Sequence, residues 1–198
     1  MSNRYSVNDK YTYQDSDVLI NRLNIKDAQA LEEAEFRYST IRSVELTEKF
    51  LKVPFNTYIL KDIHKKLFSD VYDWAGEYRT VDISKGNSRF CNMNFIESEL
   101  ERVYKEIKSL NYLQNLDQKE FSEQVAYFIG EINAIHPFRE GNGRTQREFI
   151  NQLALNSNYY VNWHDCLVED ILEATIKSFA QEYGMLSQLI FDNLILFD

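Results

Sequence analysis

The sequence feature that most constrains this chain is the stretch from His136 to Arg147, which reads HPFREGNGRTQR. It brings together a histidine, a carboxylate, two glycines around an asparagine and, after the glycines, two arginines. Because Pro137 disfavours the α conformation in the residue before it, a preceding helix is expected to end at His136. Apolar residues recur at helical spacing after Gly143. The stretch therefore predicts a helix, a glycine turn and a second helix.

The glycine turn also predicts an anion-binding site. Glycines let the backbone turn tightly and bring its N–H groups close to a ligand. The start of the second helix adds unpaired N–H groups and the positive end of the helix dipole. Arg144 and Arg147 are three residues apart, so both leave one face of the first turn, and paired guanidinium groups suit phosphate oxygens. With a histidine and a carboxylate beside them, these groups are suited to chemistry on a polyphosphate.

Composition narrows the class of protein. A length of 198 residues fits one domain with its own core, and a net charge of −9 argues against nucleic-acid binding as the main function. Two cysteines, Cys91 and Cys166, form no disulfide framework and favour a reducing compartment. No apolar run approaches the length of a membrane span, and the N-terminal stretch does not resemble a signal peptide. We therefore expect a cytoplasmic protein without a nucleic-acid or membrane partner.

The rest of the chain predicts a single domain over residues 1–198. Residues 1–26 are expected to form an irregular arm on the core, and residues 56–198 to form the catalytic core. An apolar stripe from Phe121 to Ile135 predicts the helix that carries His136. His64, on an earlier helix, is interpreted as a surface or partly buried histidine without a role in catalysis.

A short hairpin is predicted between these helices. Residues 80–83 contain β-branched side chains and read as a strand, residues 84–87 as a turn with Gly86 at positive φ, and residues 88–91 as the returning strand. A lone hairpin leaves an exposed edge. Taken by itself, this segment favours a surface ornament over a functional element.

The motif carries a family resemblance. It matches the pattern H-x-F-x-[DE]-G-N-G-R-x-x-R at every fixed position, and a chance match in a chain of this size has a probability of about 10⁻⁸. This pattern is the Fic signature, and the chain resembles a Fic protein from about residue 12 to the end. The resemblance implies an all-α, Fic-type helical bundle with one short β-hairpin flap. It also implies an enzyme that transfers AMP from ATP to a Tyr, Ser or Thr hydroxyl of a target protein.

Chemistry and resemblance together assign roles within the motif. His136 is the expected catalytic base, because its ordinary pKa lies near working pH and the helix end would stabilise the cation. Glu140 is the expected ligand of a Mg²⁺ ion that bridges the ATP phosphates. Gly141, Asn142 and Gly143 are expected to form an anion-binding nest, in which the Asn142 side chain donates to a phosphate. The two arginines are expected to hold the outer phosphates. The expected nucleotide-binding residues are Gly141, Asn142, Gly143, Arg144, Thr145, Gln146 and Arg147. Thr145 and Gln146 have no assigned chemistry.

The resemblance changes the interpretation of the hairpin. In the Fic family a flap at this place holds the target segment by strand addition. The residues expected to dock the target are Thr80, Val81, Asp82, Ile83 and Ser84. The turn residues Lys85 and Gly86 are expected to approach the nucleotide.

Two other activities remain open at this stage. Doc-like toxins, which run a kinase reaction, have lysine where this chain has Gly143, so the glycine favours AMP transfer. A nucleotide-binding regulatory protein with little turnover is the second alternative. A P-loop ATPase is excluded by the absence of its motif.

The resemblance also bears on control of the enzyme. Many Fic proteins carry an inhibitory pattern, [ST]-x-x-x-E-[GN], whose glutamate pairs with the second motif arginine, here Arg147. Only Ser178 and Glu182 have this spacing, and Tyr183 follows where Gly or Asn belongs. We therefore favour a toxin restrained by a separate antitoxin that supplies the glutamate. By the same resemblance, a type II topoisomerase subunit such as gyrase B is the first target expected.

Overall fold

A computed structural model describes residues 10–48, 56, 58–86 and 88–196, without the side chains of residues 47 and 48. Helices dominate the described residues, as expected for the all-α class. They are α1 (Ala28–Glu48), α2 (Ile59–Phe68), α3 (Ile96–Ser109), α4 (Gln118–Ile135), α5 (Asn142–Leu155), α6 (Val168–Phe179) and α7 (Gly184–Asp192). None of the helices in these ranges is long and apolar enough to cross a membrane.

The strands form two short antiparallel pairs. In the expected hairpin, β1 (Ser84–Lys85) pairs with β2 (Ser88–Arg89). The second pair was not predicted and joins β3 (Tyr159–Val161) to β4 (Leu194–Leu196). The last helix ends at Asp192, after which the chain turns and runs antiparallel to β3. The helical bundle with a small hairpin is confirmed, and the second pair is added to it.

Helix α4 lies at the centre of the bundle and packs against α3, α5, α6 and α7. Its N-terminus is capped by Asp117, whose carboxylate accepts a hydrogen bond from the Glu120 N–H at 2.9 Å. Apolar side chains on both of its sides are buried, among them Phe121, Val125 and Phe128. This burial fixes the direction of α4 and therefore the place where His136 leaves it.

The segment before α1 packs on the core. Tyr11, Val18 and Leu19 are buried, and the Arg22 N–H donates to the Val71 carbonyl at 2.8 Å. The Asp27 carboxylate accepts from the Ala30 N–H at 2.8 Å and caps α1. Residues 1–9 of the predicted arm lie outside the described residues.

The hairpin is shorter than predicted and is displaced along the chain. Residues 80–83 are irregular, so the predicted strand there is wrong, and β1 begins at Ser84. The physical reason is that side chains bind this segment. Asp82 accepts from the Asn92 side chain at 2.7 Å and from the Met93 N–H at 2.8 Å, while the buried Arg79 donates to the Val81 carbonyl at 2.7 Å. Gly86 has the positive φ expected of the turn, and residue 87 lies outside the described residues.

Candidate active site

His136 directly follows the last residue of α4, as the proline predicted, and adopts left-handed backbone angles, φ 50° and ψ 64°. Its Nδ1 lies 3.2 Å from the Asn133 carbonyl oxygen. A carbonyl only accepts, so Nδ1 carries the hydrogen and Nε2 carries the lone pair. The ring stacks on Phe90 of the hairpin segment at a centroid distance of 3.9 Å. The tautomer and the ring plane are therefore both set by neighbours.

The ionisation of His136 differs from the sequence-based expectation. Burial lowers its pKa to about 3, and the positive charges of Arg79 and Lys85 add to this effect. The ordinary pKa near working pH therefore does not apply to the folded chain, in which burial disfavours the imidazolium. The imidazole is neutral at physiological pH, which is the form that accepts a proton.

The loop between α4 and α5 is held by side chains that bind its backbone. The Arg79 guanidinium donates to the His136 carbonyl at 2.8 Å, and the Arg79 N–H donates to the Pro137 carbonyl at 2.9 Å. Asn142 brackets Phe138, accepting from its N–H at 2.9 Å and donating to its carbonyl at 2.8 Å. The loop therefore owes its shape to these side chains and not to regular secondary structure.

His64 completes this set and is not a surface residue. It is fully buried, and its Nδ1 accepts from the Gly76 N–H at 2.8 Å. Its Nε2 then carries the hydrogen and donates to the Glu140 carbonyl at 3.0 Å. The ring stacks on Phe138 at a centroid distance of 3.9 Å. Burial lowers the pKa of His64 to about 3, so it is neutral.

Asn142 does not have the role expected for its side chain. Both of its polar ends bind Phe138, and the residue is 2% exposed. Its contribution to the nest is therefore its backbone N–H at the start of α5. Gly141 has φ 80°, and a Cβ there would lie 2.5 Å from the Phe68 ring. Gly143 is exposed, as an open nest requires.

Glu140 has a position suited to a metal ion that also binds phosphates. One carboxylate oxygen accepts from the Gly141 N–H at 2.9 Å and lies 3.9 Å from the Arg144 guanidinium. No group of three or more His, Cys, Asp or Glu side chains suited to a metal occurs in the part of the chain that the structure describes. Mg²⁺ commonly uses only one or two carboxylates and takes the rest of its ligands from substrate phosphates and water. A single carboxylate beside an anion nest fits that pattern.

Arg144 is directed elsewhere than the sequence suggested. Its guanidinium forms an ion pair with Glu35 of α1, donates to the Ser39 hydroxyl at 3.1 Å, and lies over the Phe68 ring at 4.7 Å. Glu35 is 6% exposed and also accepts from the Tyr72 hydroxyl. Arg144 is therefore held against α1 by an ion pair and a hydrogen bond. Glu35 was missed because α1 carries several glutamates and no pattern distinguishes this one.

Arg147 differs from Arg144 in this respect. It is half-buried, and it makes no hydrogen bond or ion pair within the described residues. Burial lowers its pKa, and the charge of Arg144 adds to this effect. Glu182 lies exposed after α6 and does not pair with it. A half-buried cation without an ionic partner in the described residues favours an anionic ligand.

The remaining predicted nucleotide contacts divide into two groups. Thr145 is buried and its hydroxyl donates to the Gly141 carbonyl at 2.9 Å, so it supports the first turn of α5. Gln146 is buried, and its side-chain nitrogen has no hydrogen-bond partner among the described residues. Lys85 and Gly86 are exposed at the hairpin turn, and the charge of Lys85 helps to lower the pKa of His136.

The sequence profile of the Fic/DOC family matches residues 54–155. The chain belongs to the Fic/DOC family. Over 94% of its length, this Fic/DOC chain is 43% identical to protein adenylyltransferase VbhT of Bartonella schoenbuchensis, but it spans only 39% of that relative. Over 78% of its length it is 38% identical to the "Probable protein adenylyltransferase Fic" of Escherichia coli, of which it spans 76%.

Solved Fic structures share the fold described above. The N-terminal Fic domain of a VirB-translocated Bep effector from Bartonella quintana, described with bound ADP, matches with a TM-score of 0.89. It is 24% identical, and the match covers 95% of each chain. The likeness confirms the arrangement of helices and hairpin.

Proposed function

We propose that this Fic/DOC chain is a protein adenylyltransferase that moves AMP from ATP to a hydroxyl group of a target protein. The observation that carries the proposal is the folded motif. A neutral histidine, a carboxylate and an open helix N-terminus meet in one loop, and Arg147 on the same helix has no ionic partner in the described part of the chain. The adenylyltransferase names of the relatives support the same activity.

In this proposal the chain's residues position the reactants and move one proton. The target hydroxyl oxygen forms a bond to the α-phosphorus of ATP as the bond to the pyrophosphate oxygen breaks. His136 Nε2 accepts the hydroxyl proton, and the ring is already held in the correct tautomer by Asn133. Bound phosphates would raise the pKa of His136 from its low value, because a nearby negative charge favours the cation.

The phosphates are assigned to the start of α5. The N–H groups of Asn142 and Gly143 form the nest, and Arg147 supplies the charge for the outer phosphates. Arg144 lies in the first turn of the same helix, and Glu35 and Ser39 use only part of its five donors. Glu140 would hold Mg²⁺, which neutralises charge on the phosphates during the displacement.

The hairpin is assigned to target docking. Ser84 pairs with Arg89 in the hairpin, and the edge of β1 that faces away from β2 is the proposed docking edge. A target segment that adds to this edge would place its hydroxyl beside His136, whose ring contacts Phe90. Residues 80–83 then form the approach to this edge and not the edge itself.

The finer assignments rest on family resemblance. We infer a single domain over residues 1–198, with an arm over residues 1–26 and a catalytic core over residues 56–198, acting in the cytoplasm. We further infer a toxin whose first target is a type II topoisomerase subunit such as gyrase B. A separate antitoxin would supply a glutamate to Arg147, in keeping with its lack of an ionic partner among the described residues.

Labelled ATP separates this activity from the alternatives. With a bacterial lysate, α-labelled ATP should label a target protein and γ-labelled ATP should not. His136→Ala should abolish labelling while ATP still binds, and His164→Ala, at an exposed histidine, should leave labelling unchanged. Transfer of the γ label would support a kinase of the Doc type. Binding of ATP without transfer of either label would support a regulatory protein.

A further inference from the structure

The buried histidine of α2, His64, connects three separate segments of the chain. It binds the Gly76 N–H through Nδ1 and the Glu140 carbonyl through Nε2. Gly76 has φ 87°, and a Cβ there would lie 2.8 Å from the Lys65 Cβ, so this turn packs closely against α2. The two hydrogen bonds therefore join the motif loop to a rigid helix and to a turn that only glycine fits.

The chemistry of His64 suits this place. A neutral imidazole offers one donor and one acceptor on opposite sides of a flat ring. Its faces contact aromatic rings, with Phe138 at 3.9 Å and Phe68 at 4.7 Å between centroids. Both Phe138 and Glu140 belong to the motif loop, so His64 holds that loop by stacking at one residue and by hydrogen bonding at the other.

The other donors to the loop act on different residues. Arg79 binds the carbonyls of His136 and Pro137, and Asn142 binds Phe138. His64 binds the carbonyl of Glu140. The Glu140 carbonyl and the Gly141 N–H belong to one planar peptide unit, so the hydrogen bond from His64 also orients the N–H that donates to the Glu140 carboxylate at 2.9 Å.

We propose that His64 is a positioning residue that orients Glu140 toward the metal and phosphates of the bound nucleotide. This inference rests on the proposed function for the identity of the ligand. It assigns no proton transfer to His64. Residues that orient a metal ligand in this way typically change metal affinity by about 10- to 100-fold when they are replaced.

Two substitutions separate hydrogen bonding from packing. His64→Gln keeps one acceptor and one donor within reach of Gly76 and Glu140. His64→Phe keeps a flat ring against Phe138 and removes both hydrogen bonds. If His64→Phe does not fold, His64→Met takes its place, because methionine is apolar and adapts to irregular spaces.

The experiment measures Mn²⁺ binding by electron paramagnetic resonance in the presence of a non-hydrolysable ATP analogue. Affinity for the analogue is measured separately in EDTA, with circular dichroism and thermal unfolding as controls for folding. We expect the Kd for Mn²⁺ to rise about tenfold or more in His64→Phe. In His64→Gln it should stay within about threefold of wild type, and analogue affinity in EDTA should be unchanged in both.

The outcomes decide the inference independently of the proposed activity. A folded His64→Phe chain with wild-type Mn²⁺ affinity would overturn it. So would equal losses of Mn²⁺ and analogue affinity, or a wild-type chain that binds no Mn²⁺ with the analogue. AMP transfer is measured in parallel with the wild-type chain. Mn²⁺ binding that depends on His64, without AMP transfer, would support this inference and refute the proposed function.

Discussion

At the scale of residues, the motif side chains have properties that neighbours outside the motif impose on them. His136 is neutral because burial lowers its pKa, and its ring stacks on Phe90. Arg144 is held by Glu35, whereas Arg147 has no such partner in the described part of the chain. The two motif arginines look equivalent in the sequence but have different environments in the fold.

The pKa of His136 predicts a pH dependence of stability. Its pKa is about 3 in the folded chain and 6.5 in its ordinary range, so below pH 6.5 the unfolded state binds a proton that the folded state does not. Stability contributed by the neutral ring is complete above pH 6.5 and is lost as the pH falls toward 3. In urea unfolding, His136→Asn should lose about 1.4 kcal/mol less per pH unit over this window. His164→Asn, at an exposed position, should keep the wild-type slope, and equal slopes in all three chains would contradict the burial argument.

The different environments of the two arginines predict different effects of substitution on stability and on ATP binding. Arg147→Ala should leave the free energy of unfolding within about 0.5 kcal/mol of wild type and weaken ATP binding about tenfold or more, because it removes a charge that has no partner in the described fold. Glu35→Gln should lower stability by about 2 kcal/mol, because the Arg144 cation loses its carboxylate partner. Urea unfolding and titration with an ATP analogue measure both quantities. A large loss of stability in Arg147→Ala would show that this arginine has a structural role.

At the scale of elements, the helix boundaries around the motif could be predicted from the sequence. The side-chain contacts that hold the motif loop could not. Pro137 and Gly141 act on the backbone beside them, so the end of α4 and the start of α5 could be predicted. Arg79, His64 and Glu35 act across 57, 76 and 109 residues, respectively. Such partners follow from the packing of helices and leave no local pattern.

The predicted boundaries of the hairpin strands were wrong for a related reason. Val81 and Ile83 have strand propensity. However, the Arg79 side chain binds the Val81 carbonyl and the Asp82 side chain binds the Met93 N–H, so this segment is held by side chains and not by a strand ladder. Ile83 is buried against Phe90 instead of lying on an open edge. Propensity therefore located the hairpin and misplaced its strands.

The shorter hairpin predicts which position matters for target docking. Ser84→Pro removes a backbone N–H from β1, so it should reduce target labelling by α-labelled ATP about tenfold while the ATP analogue still binds. Ser84→Ala keeps this N–H and should label the target at nearly the wild-type rate. If Ser84→Pro and Ser84→Ala behave alike, strand addition at this edge is wrong.

At the scale of the whole molecule, nothing in the described residues restrains Arg147. Glu182 has the spacing of the family's inhibitory glutamate, but it is exposed and its segment hydrogen-bonds to the end of α6, with the Glu182 N–H donating to the Lys177 carbonyl at 3.1 Å. The sequence could offer this residue as a candidate, and the fold shows that it is exposed and forms no ion pair with Arg147. Restraint by a separate protein stays a prediction.

This arrangement predicts the behaviour of Glu182→Gly. Its rate of AMP transfer should stay within about twofold of wild type, because the side chain makes no ion pair with Arg147. The control is Lys177→Ala, which changes the same segment without removing the carboxylate. A rise of tenfold or more in Glu182→Gly alone would make the chain a self-inhibited enzyme.

The central claim is that this Fic/DOC chain attaches AMP to another protein through His136. Intact-mass spectrometry of lysate proteins after incubation with the purified chain, Mg²⁺ and ATP tests it most directly. The account predicts at least one protein whose mass rises by one AMP residue with the wild-type chain and does not change with His136→Ala. A gain of a single phosphoryl group, or the same AMP gain with His136→Ala, would contradict the account.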